Sequence, residues 1–349
     1  MEGDLKIIPN DNSERNIVIQ ASNLKKWFSL RSDFFSYLSR GEGEQVRAVD
    51  SVDFVIWEEE IYGLAGESGC GKTTLGKLLI RLLEPTDGKI NFLGTDITHL
   101  SRKKMKKLRK DIQIIFQDPF SSLPVRLTVK EILYEPLKIH NVVLTQGERL
   151  KMVHEVLEAT DLLPIKNFID KHPNELSGGQ RQRVCIARAI ILKPHFIIAD
   201  EPVSMLDVSV RAGILELIKN LRKEFGFTTL LITHDLSVAQ YMCDRIGIMY
   251  VGKMVEEGDG KQILRNPYHP YTMLLKAVLP TLDPKIRHHL HDMPVVEAEI
   301  ASPINPPLGC RFHPRCIFAK EICKEKEPLL KKFKDRMVAC HGVGEWVFP

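Results

Sequence analysis

Residues 66–73 read GESGCGKT, and the pattern G-x-x-x-x-G-K-[ST] answers one chemical need. Backbone N–H groups can close around phosphate oxygens only where side chains stay clear, and Gly66 and Gly71 stand at the two positions where a side chain would obstruct them. Lys72 supplies a point charge for the β and γ phosphates of a nucleoside triphosphate. The Thr73 hydroxyl supplies a ligand for Mg²⁺, and the helix that follows supplies its dipole. Glu67, Ser68, Gly69, Cys70 and Thr74 complete the predicted binding segment.

Further residues of the same chemistry stand at the ends of apolar runs. Residues 196–201 read FIIADE, so Asp200 closes a buried strand where a Mg²⁺-holding aspartate belongs. Glu201, one residue on, faces the other way and is placed to orient or deprotonate an attacking water. Gln117 follows the run at 112–116, and His234 follows the run at 228–233. Residues 176–180 read LSGGQ ahead of a good helix former. Ser177, Gly178, Gly179 and Gln180 therefore form a second helix-start anion site. Two such sites suit two nucleotides held between two chains.

The elements that must position these residues follow from the hydrophobic pattern. Residues 61–65 read as a buried strand, and Leu75, Leu78, Leu79 and Leu82 recur at helical spacing behind the glycine loop. Val52, Phe54 and Ile56 alternate, as an antiparallel strand with one buried face does. Residues 16–22 read as a strand, residues 24–28 place Trp27 and Phe28 just before a loop, and residues 29–45 read as a surface insertion. The first 15 or so residues read as frayed. Thr128 with Glu131, and Thr145 with Glu148, are capping boxes that open helices. Val210, Ile214, Leu217, Ile218 and Leu221 mark an amphipathic helix. Strands alternating with helices predict an α/β fold with a largely parallel sheet, its ligands at the carboxyl ends of the strands.

Composition narrows the class. The chain has 349 residues, 44% hydrophobic and 27% charged, with a net charge of +4, as an ordinary globular protein has. The basic run at 102–110 (RKKMKKLRK) reads as a solvated helix face rather than a nucleic-acid patch. No apolar run reaches the roughly 18 residues that span a bilayer, and the start, MEGDLKIIPN, lacks the apolar core of a signal peptide. A cytosolic location is the expectation. Of seven cysteines, Cys310, Cys316, Cys323 and Cys340 crowd into the last 40 residues. Cytosolic thiols in a short segment suggest a metal, although no C-x-x-C pair is present and spacing leaves the metal open. Cys70, Cys185 and Cys243 read as packing residues.

Taken together, GESGCGKT, FQDP, LSGGQ, FIIADEP, SMLD and ITHD resemble the nucleotide-binding domain of an ABC transporter over residues 16–265. The resemblance implies a phosphate-loop fold, with a mostly parallel sheet, an antiparallel β subdomain and a helical subdomain at about 118–180. It implies a head-to-tail dimer in which Ser177 and Gly179 of one subunit cap the γ phosphate of ATP held by the other. It further implies that Gln117 senses Mg²⁺ and water, that Asp207 bridges the dimer, that His234 contacts the γ phosphate, and that Phe28 stacks on adenine, with Trp27 the alternative.

The tail at 266–349 contains NPYHPYTMLLKAVLP, PPLGCRFHPRCIFAKEIC and VACH. It is similar to the C-terminal extension of ATP-binding subunits from dipeptide and oligopeptide importers, with wording closer to the F-like member of the usual pair. This family implies a 4Fe–4S cluster at the four cysteines, with zinc the alternative and free thiols a third option. It also implies a D-like ATP-binding partner, two membrane permease subunits, an extracytoplasmic solute-binding protein and a peripheral place on the cytoplasmic face of the membrane. Two departures from the pattern are Pro124-Val125, where the family commonly has Asn-Pro, and Glu59, where it commonly has a turn glycine. The alternative is a soluble ABC ATPase acting on nucleic acid or ribosomes. It is disfavoured by the single nucleotide domain and by the lack of basic and aromatic interleaving around the cysteines.

Removing the Lys72 charge tests the phosphate reading directly. Lys72→Ala is expected to weaken ATP binding by at least about ten-fold, the scale of one lost charged hydrogen bond. Unchanged binding in an equilibrium titration contradicts the assignment.

Overall fold

The computed structural model describes residues 15–30, 44–142, 145–277 and 301–346. The first 14 residues, expected to be frayed, most of the insertion expected at 29–45 and residues 278–280 of the tail motif lie outside them. The chain forms two compact units, one from residues 1–55, 62–98 and 233–349, the other from residues 56–61 and 99–232.

The first unit holds two sheets. Strands β1 (Ile17–Ser29), β2 (Gln45–Trp57), β4 (Asp87–Phe92) and β5 (Thr95–Asp96) make one, in the order β2-β1-β4-β5. Val52, Phe54 and Ile56 are buried while Ser51 and Asp53 face solvent, as the alternation predicts. β1 is longer than expected. It runs on through Trp27 and Phe28 because a register shift between Ser22 and Lys25 absorbs the break, with Asn23 at φ 47 and its N–H on Asp53 Oδ1 at 2.8 Å.

In the second sheet β3 (Ile61–Ala65) runs parallel to β9 (Arg245–Tyr250). Beyond β9 come β10 (Lys253–Asp259), β12 (Arg336–Val338) and β11 (Lys331–Phe333), each antiparallel to its neighbour. Val251 at φ 41 and Gly252 at φ 78 turn the chain tightly between β9 and β10. Helices α1 (Lys72–Leu79), α8 (Leu236–Met242), α9 (Gly260–Arg265), α10 (Pro270–Ala277) and α11 (Glu321–Glu325) belong to this unit.

The last strands are tied in by a buried ion pair. Arg336 on β12 is 1% exposed and meets Glu256 on β10, which is 0% exposed, at 3.3 Å. Glu256 Oε1 and Oε2 also accept the backbone N–H groups of Tyr268 and His269, and Arg336 Nη1 also donates to the Asn266 carbonyl. Burial raises the Glu256 pKa against these hydrogen bonds and the Arg336 charge, so the carboxylate depends on its partners to stay ionised.

The second unit carries three parallel strands, β6 (Ile112–Ile115), β7 (Phe196–Asp200) and β8 (Thr228–Thr233). Its helices are α2 (Arg102–Leu108), α3 (Pro119–Ser122), α4 (Val129–Ile139), α5 (Gln146–Ala159), α6 (Gly178–Ile190) and α7 (Val208–Phe225). Both expected capping boxes form, at Thr128 with Glu131 and at Thr145 with Glu148. α2 buries only Met105, so its lysines line a solvated face as expected. Glu59 takes φ 56, the left-handed conformation that glycine favours. It is held there by its N–H on Thr228 Oγ1 at 2.9 Å and by Arg222 on its carbonyl. Among the described residues no helix is long and apolar enough to cross a membrane.

Arg336→Ala strands Glu256 without its countercharge, and such a change is expected to cost about 3–5 kcal/mol. Urea denaturation measures it, and a midpoint equal to that of the parent chain removes the ion pair from the account of how β12 is anchored.

Candidate functional site

The predicted phosphate loop leaves the fully buried β3 and enters α1. Gly66 has φ 150 and Gly71 has φ 106, and a Cβ at either would collide with the chain's own backbone, at the Met249 and Ala48 carbonyls respectively. The glycines are thus required by packing inside the first unit, before any phosphate is considered. Gly69, at φ 79, has nothing within 4 Å of a notional Cβ. Ser68 and Gly69 are exposed while Lys72 is buried.

Lys72 lies back over the loop, its Nζ donating to the Gly66 carbonyl at 2.8 Å and to the Glu67 carbonyl at 2.9 Å. α1 has Gly71 at its cap, no side-chain cap and no acidic residue in its first turn. Its N–H groups therefore meet an incoming anion without a competing side chain. Cys70 is buried, as a packing residue should be, and burial pushes its thiol up. Its carbonyl accepts the Gly252 N–H at 2.8 Å, which ties the loop to the turn between β9 and β10.

Two residues that the motif reading passed over grip the loop. Arg315 donates to both Glu67 carboxylate oxygens, at 2.8 and 3.0 Å, and Glu67 N–H donates to the Tyr271 hydroxyl at 2.8 Å. Tyr271 is fully buried, and burial raises its phenol so that it stays protonated. The Glu67 hydrogen bond raises the Arg315 pKa, so the guanidinium stays charged. Sequence separations of 204 and 248 residues put both contacts beyond any local signal.

In the second unit Asp200 ends β7 and is buried. Glu201 follows at φ 47, an uncommon backbone conformation for a side-chain-bearing residue. Its N–H is held by the Ile232 carbonyl at 2.9 Å, and its Oε2 accepts from Gln117 Nε2 at 2.9 Å. Two of the predicted residues, 84 apart in sequence, are thereby brought together. Ser177 and Gln180 form a reciprocal capping box at the start of α6, with the Ser177 N–H on Gln180 Oε1 at 3.0 Å and the Gln180 N–H on Ser177 Oγ at 3.3 Å. The serine oxygen accepts in this box, which leaves its O–H as a donor. A Cβ on Gly179 would lie 2.7 Å from Val210 Cγ1, whereas Gly178 has only ordinary contacts. Asp207 precedes α7 and is exposed.

His234, in the first unit, is exposed just before α8, whose cap is Asp235, accepting from Ser237 and Val238 N–H. Phe28 lies near the end of β1, 37% exposed, with the Lys26 ammonium 5.1 Å from its ring centre. The Trp27 ring is covered by the Arg47 guanidinium at 4.8 Å.

The expectation of a 4Fe–4S cluster, or of zinc, at Cys310, Cys316, Cys323 and Cys340 is corrected. Among the described residues no group of three or more His, Cys, Asp or Glu side chains is arranged to hold a metal ion. Burial pushes the Cys310 thiol up to about 12 and the Cys340 thiol to about 11, and raises Cys316 as well. The thiolate form that metals need is thus disfavoured. The segment is instead organised by its backbone, with the Cys310 N–H on the Cys323 carbonyl at 2.8 Å.

Comparison with known proteins agrees with this geometry. Residues 49–204 match the ABC transporter family, and residues 255–323 match the family described as the oligopeptide/dipeptide transporter C-terminal region. The chain is 45% identical over 331 residues to the oligopeptide transport ATP-binding protein AppF of Bacillus subtilis, across 94% of this chain and 98% of that one. It is 40% identical over 329 residues to the oligopeptide transport ATP-binding protein OppF of Haemophilus influenzae, with the same coverage of 94% and 98%. Among solved structures it is similar to the dimeric post-hydrolysis state of the ATP-binding cassette MJ0796 bound to ADP and Pi. There the TM-score is 0.60 at 31% identity, covering 70% of this chain and 99% of that one.

A glycine loop between a buried strand and an uncapped helix, with this fold around it, defines an ATPase of the ATP-binding cassette class. Within that class, the chain belongs to the family of oligopeptide transport ATP-binding proteins of ABC transporters.

The loop geometry separates its glycines. Gly71→Ala meets both a left-handed φ and the Ala48 carbonyl, and is expected to cost about 2 kcal/mol or more. Gly69→Ala meets only the φ penalty, about 1–2 kcal/mol. Thermal unfolding of the two variants checks the order, and equal losses contradict the packing argument.

Proposed function

We propose that this chain hydrolyses ATP to energise import of di- or oligopeptides, with each ATP held between two nucleotide-binding domains. The observation that carries the reading is the uncapped, glycine-shaped loop around Lys72, in a chain 45% identical to an oligopeptide transport ATP-binding protein across 94% of its length. Residues 16–265 are taken as the nucleotide-binding domain, with a helical subdomain at about 118–180, and residues 266–349 as the importer extension. The matched segments at 49–204 and 255–323 support this division.

In this reading the loop N–H groups from Ser68 to Thr74 and the Lys72 ammonium bind the phosphates, and Phe28 stacks on the base. Thr73, Asp200 and Gln117 would hold Mg²⁺, which supplies positive charge to the phosphate oxygens when bound. Glu201 takes a proton from water as its oxygen bonds to the γ phosphorus, the bond from that phosphorus to the β–γ bridging oxygen breaks, and ADP leaves with both electrons of that bond. The 2.9 Å bond from Gln117 supports its role in orienting Glu201 and the water. His234 contacts the γ phosphate. Ser177, Gly178, Gly179 and Gln180 cap the nucleotide of the opposite subunit, and Asp207 bridges the two.

The partners are a D-like ATP-binding subunit, two permease subunits and an extracytoplasmic solute-binding protein, with this chain peripheral on the cytoplasmic face. The nucleic-acid or ribosome alternative is set aside, because the relatives matched over nearly the whole chain are transport proteins by name.

Glu201→Gln is expected to keep ATP binding while turnover falls by about 10² or more, the lower end of what a positioned base contributes. A tagged Glu201→Gln chain, drawn from solubilised membranes with ATP and Mg²⁺, is expected to bring a second ATPase and two membrane subunits. Turnover at the parental rate defeats the catalytic assignment, and recovery of ribosomes without membrane proteins defeats the transport reading.

A further inference from the structure

Glu67 is bonded on three sides at once. Its carbonyl accepts from Lys72 Nζ at 2.9 Å, its N–H rests on the Tyr271 hydroxyl at 2.8 Å, and its carboxylate is held by both terminal nitrogens of Arg315. The last two partners come from the C-terminal tail, at α10 and between Cys310 and Cys316. They are themselves fixed by a buried aromatic cluster. Tyr250, Tyr271 and Phe312 have ring centres 4.6 to 5.4 Å apart, and the Arg315 guanidinium lies 5.8 Å from the Phe312 ring and 5.9 Å from the Tyr250 ring. Arg315 itself is only 11% exposed.

Two physical needs are met by this arrangement. A loop with glycines at 66, 69 and 71 has little stiffness of its own, so ordering it around a phosphate carries an entropic cost. Anchoring Glu67, between the first two glycines, removes part of that cost before the ligand arrives. A carboxylate in a loop that must accept a polyphosphate also repels it, and the bidentate guanidinium cancels that charge.

We propose that Arg315 and Tyr271 are positioning residues of the phosphate loop, which set its shape and neutralise Glu67 so that Lys72 and the loop N–H groups are ready for nucleotide. The C-terminal extension is then part of the nucleotide site. The inference rests on the reading that this loop binds ATP.

Calorimetric titration of the full chain with ADP and Mg²⁺ tests it without turnover. Arg315→Gln is expected to weaken affinity about ten-fold, with Arg315→Lys between the two, as loss and partial retention of a charged bidentate pair require. Adding Glu67→Gln to Arg315→Gln is expected to recover about three-fold or more, because the unopposed carboxylate is gone. A merely structural role produces neither the lysine rescue nor this recovery. Tyr271→Phe keeps the buried ring and is expected to weaken binding about three-fold, so the proposal stays testable if Arg315→Gln does not fold. Parental affinity in both Arg315→Gln and Tyr271→Phe overturns the proposal, as does a double variant weaker than Arg315→Gln alone. If the parent chain itself fails to bind ADP, the ATP reading of the loop falls, and this inference falls with it.

Discussion

The phosphate loop cannot hold its own shape, and much of the first unit is arranged to hold it. Three of the six residues from Gly66 to Gly71 are glycines with positive φ, a conformation that supplies freedom and no rigidity. Stiffness comes from what closes in on them. The Met249 and Ala48 carbonyls occupy the places where side chains would stand at Gly66 and Gly71, and the Gly252 N–H fixes the Cys70 carbonyl. β3 and β9 lie side by side from Tyr62↔Arg245 to Ala65↔Ile248, so the strand that delivers the loop and the strand that confines it share one register. The loop is thus held chiefly by contacts to backbone atoms, which leave its shape set before any ligand is considered.

The two helix starts associated with anions are built on different plans. α1 begins at a glycine with no side-chain cap and no acidic residue in its first turn. α6 begins with a reciprocal Ser177 and Gln180 box that satisfies two of its own donors, and Gly179 is kept small by Val210 on α7. The first is shaped by backbone that closes in on its glycines. The second has a serine whose oxygen accepts from Gln180 N–H and a glycine packed against Val210.

The C-terminal segment does more than extend the chain. β12 pairs with β10 and brings Arg336 to Glu256, while the Phe312 region brings Arg315 to Glu67. Arg311 pairs with Asp50 on β2 and also reaches the Val251 carbonyl. Three arginines from residues 311–336 therefore meet three acids from the earlier part of the unit. Each pair is largely buried, where one member without the other is costly. Among these contacts Cys323 is buried and Cys310, Cys316 and Cys340 are half-buried, and among the described residues they form no metal-holding group.

Much of the local structure around the candidate site was legible in the residues. The loop at 66–73, the strand-end Asp200 and Glu201, the LSGGQ helix start and both capping boxes depend on neighbours within a few positions, so local pattern determined them. Strand β1 was read too short because a bulge at Asn23 is decided by pairing with β4 and by Asp53, not by the run of residue types. A second reason for Gly66 and Gly71 was not legible, since the sequence carries no trace of the Met249 and Ala48 carbonyls. The four cysteines looked like a metal site because spacing says nothing about whether thiols are placed to bind together. By itself the sequence determined where the glycine loop and the capped helix starts fall and which segments become strands and helices, because short-range sterics and periodicity set those. Only the tertiary structure decided that Gln117 meets Glu201 and that Tyr271 and Arg315 grip Glu67, because hydrogen bonds between residues tens or hundreds of positions apart exist only once the sheets have brought them within 3 Å.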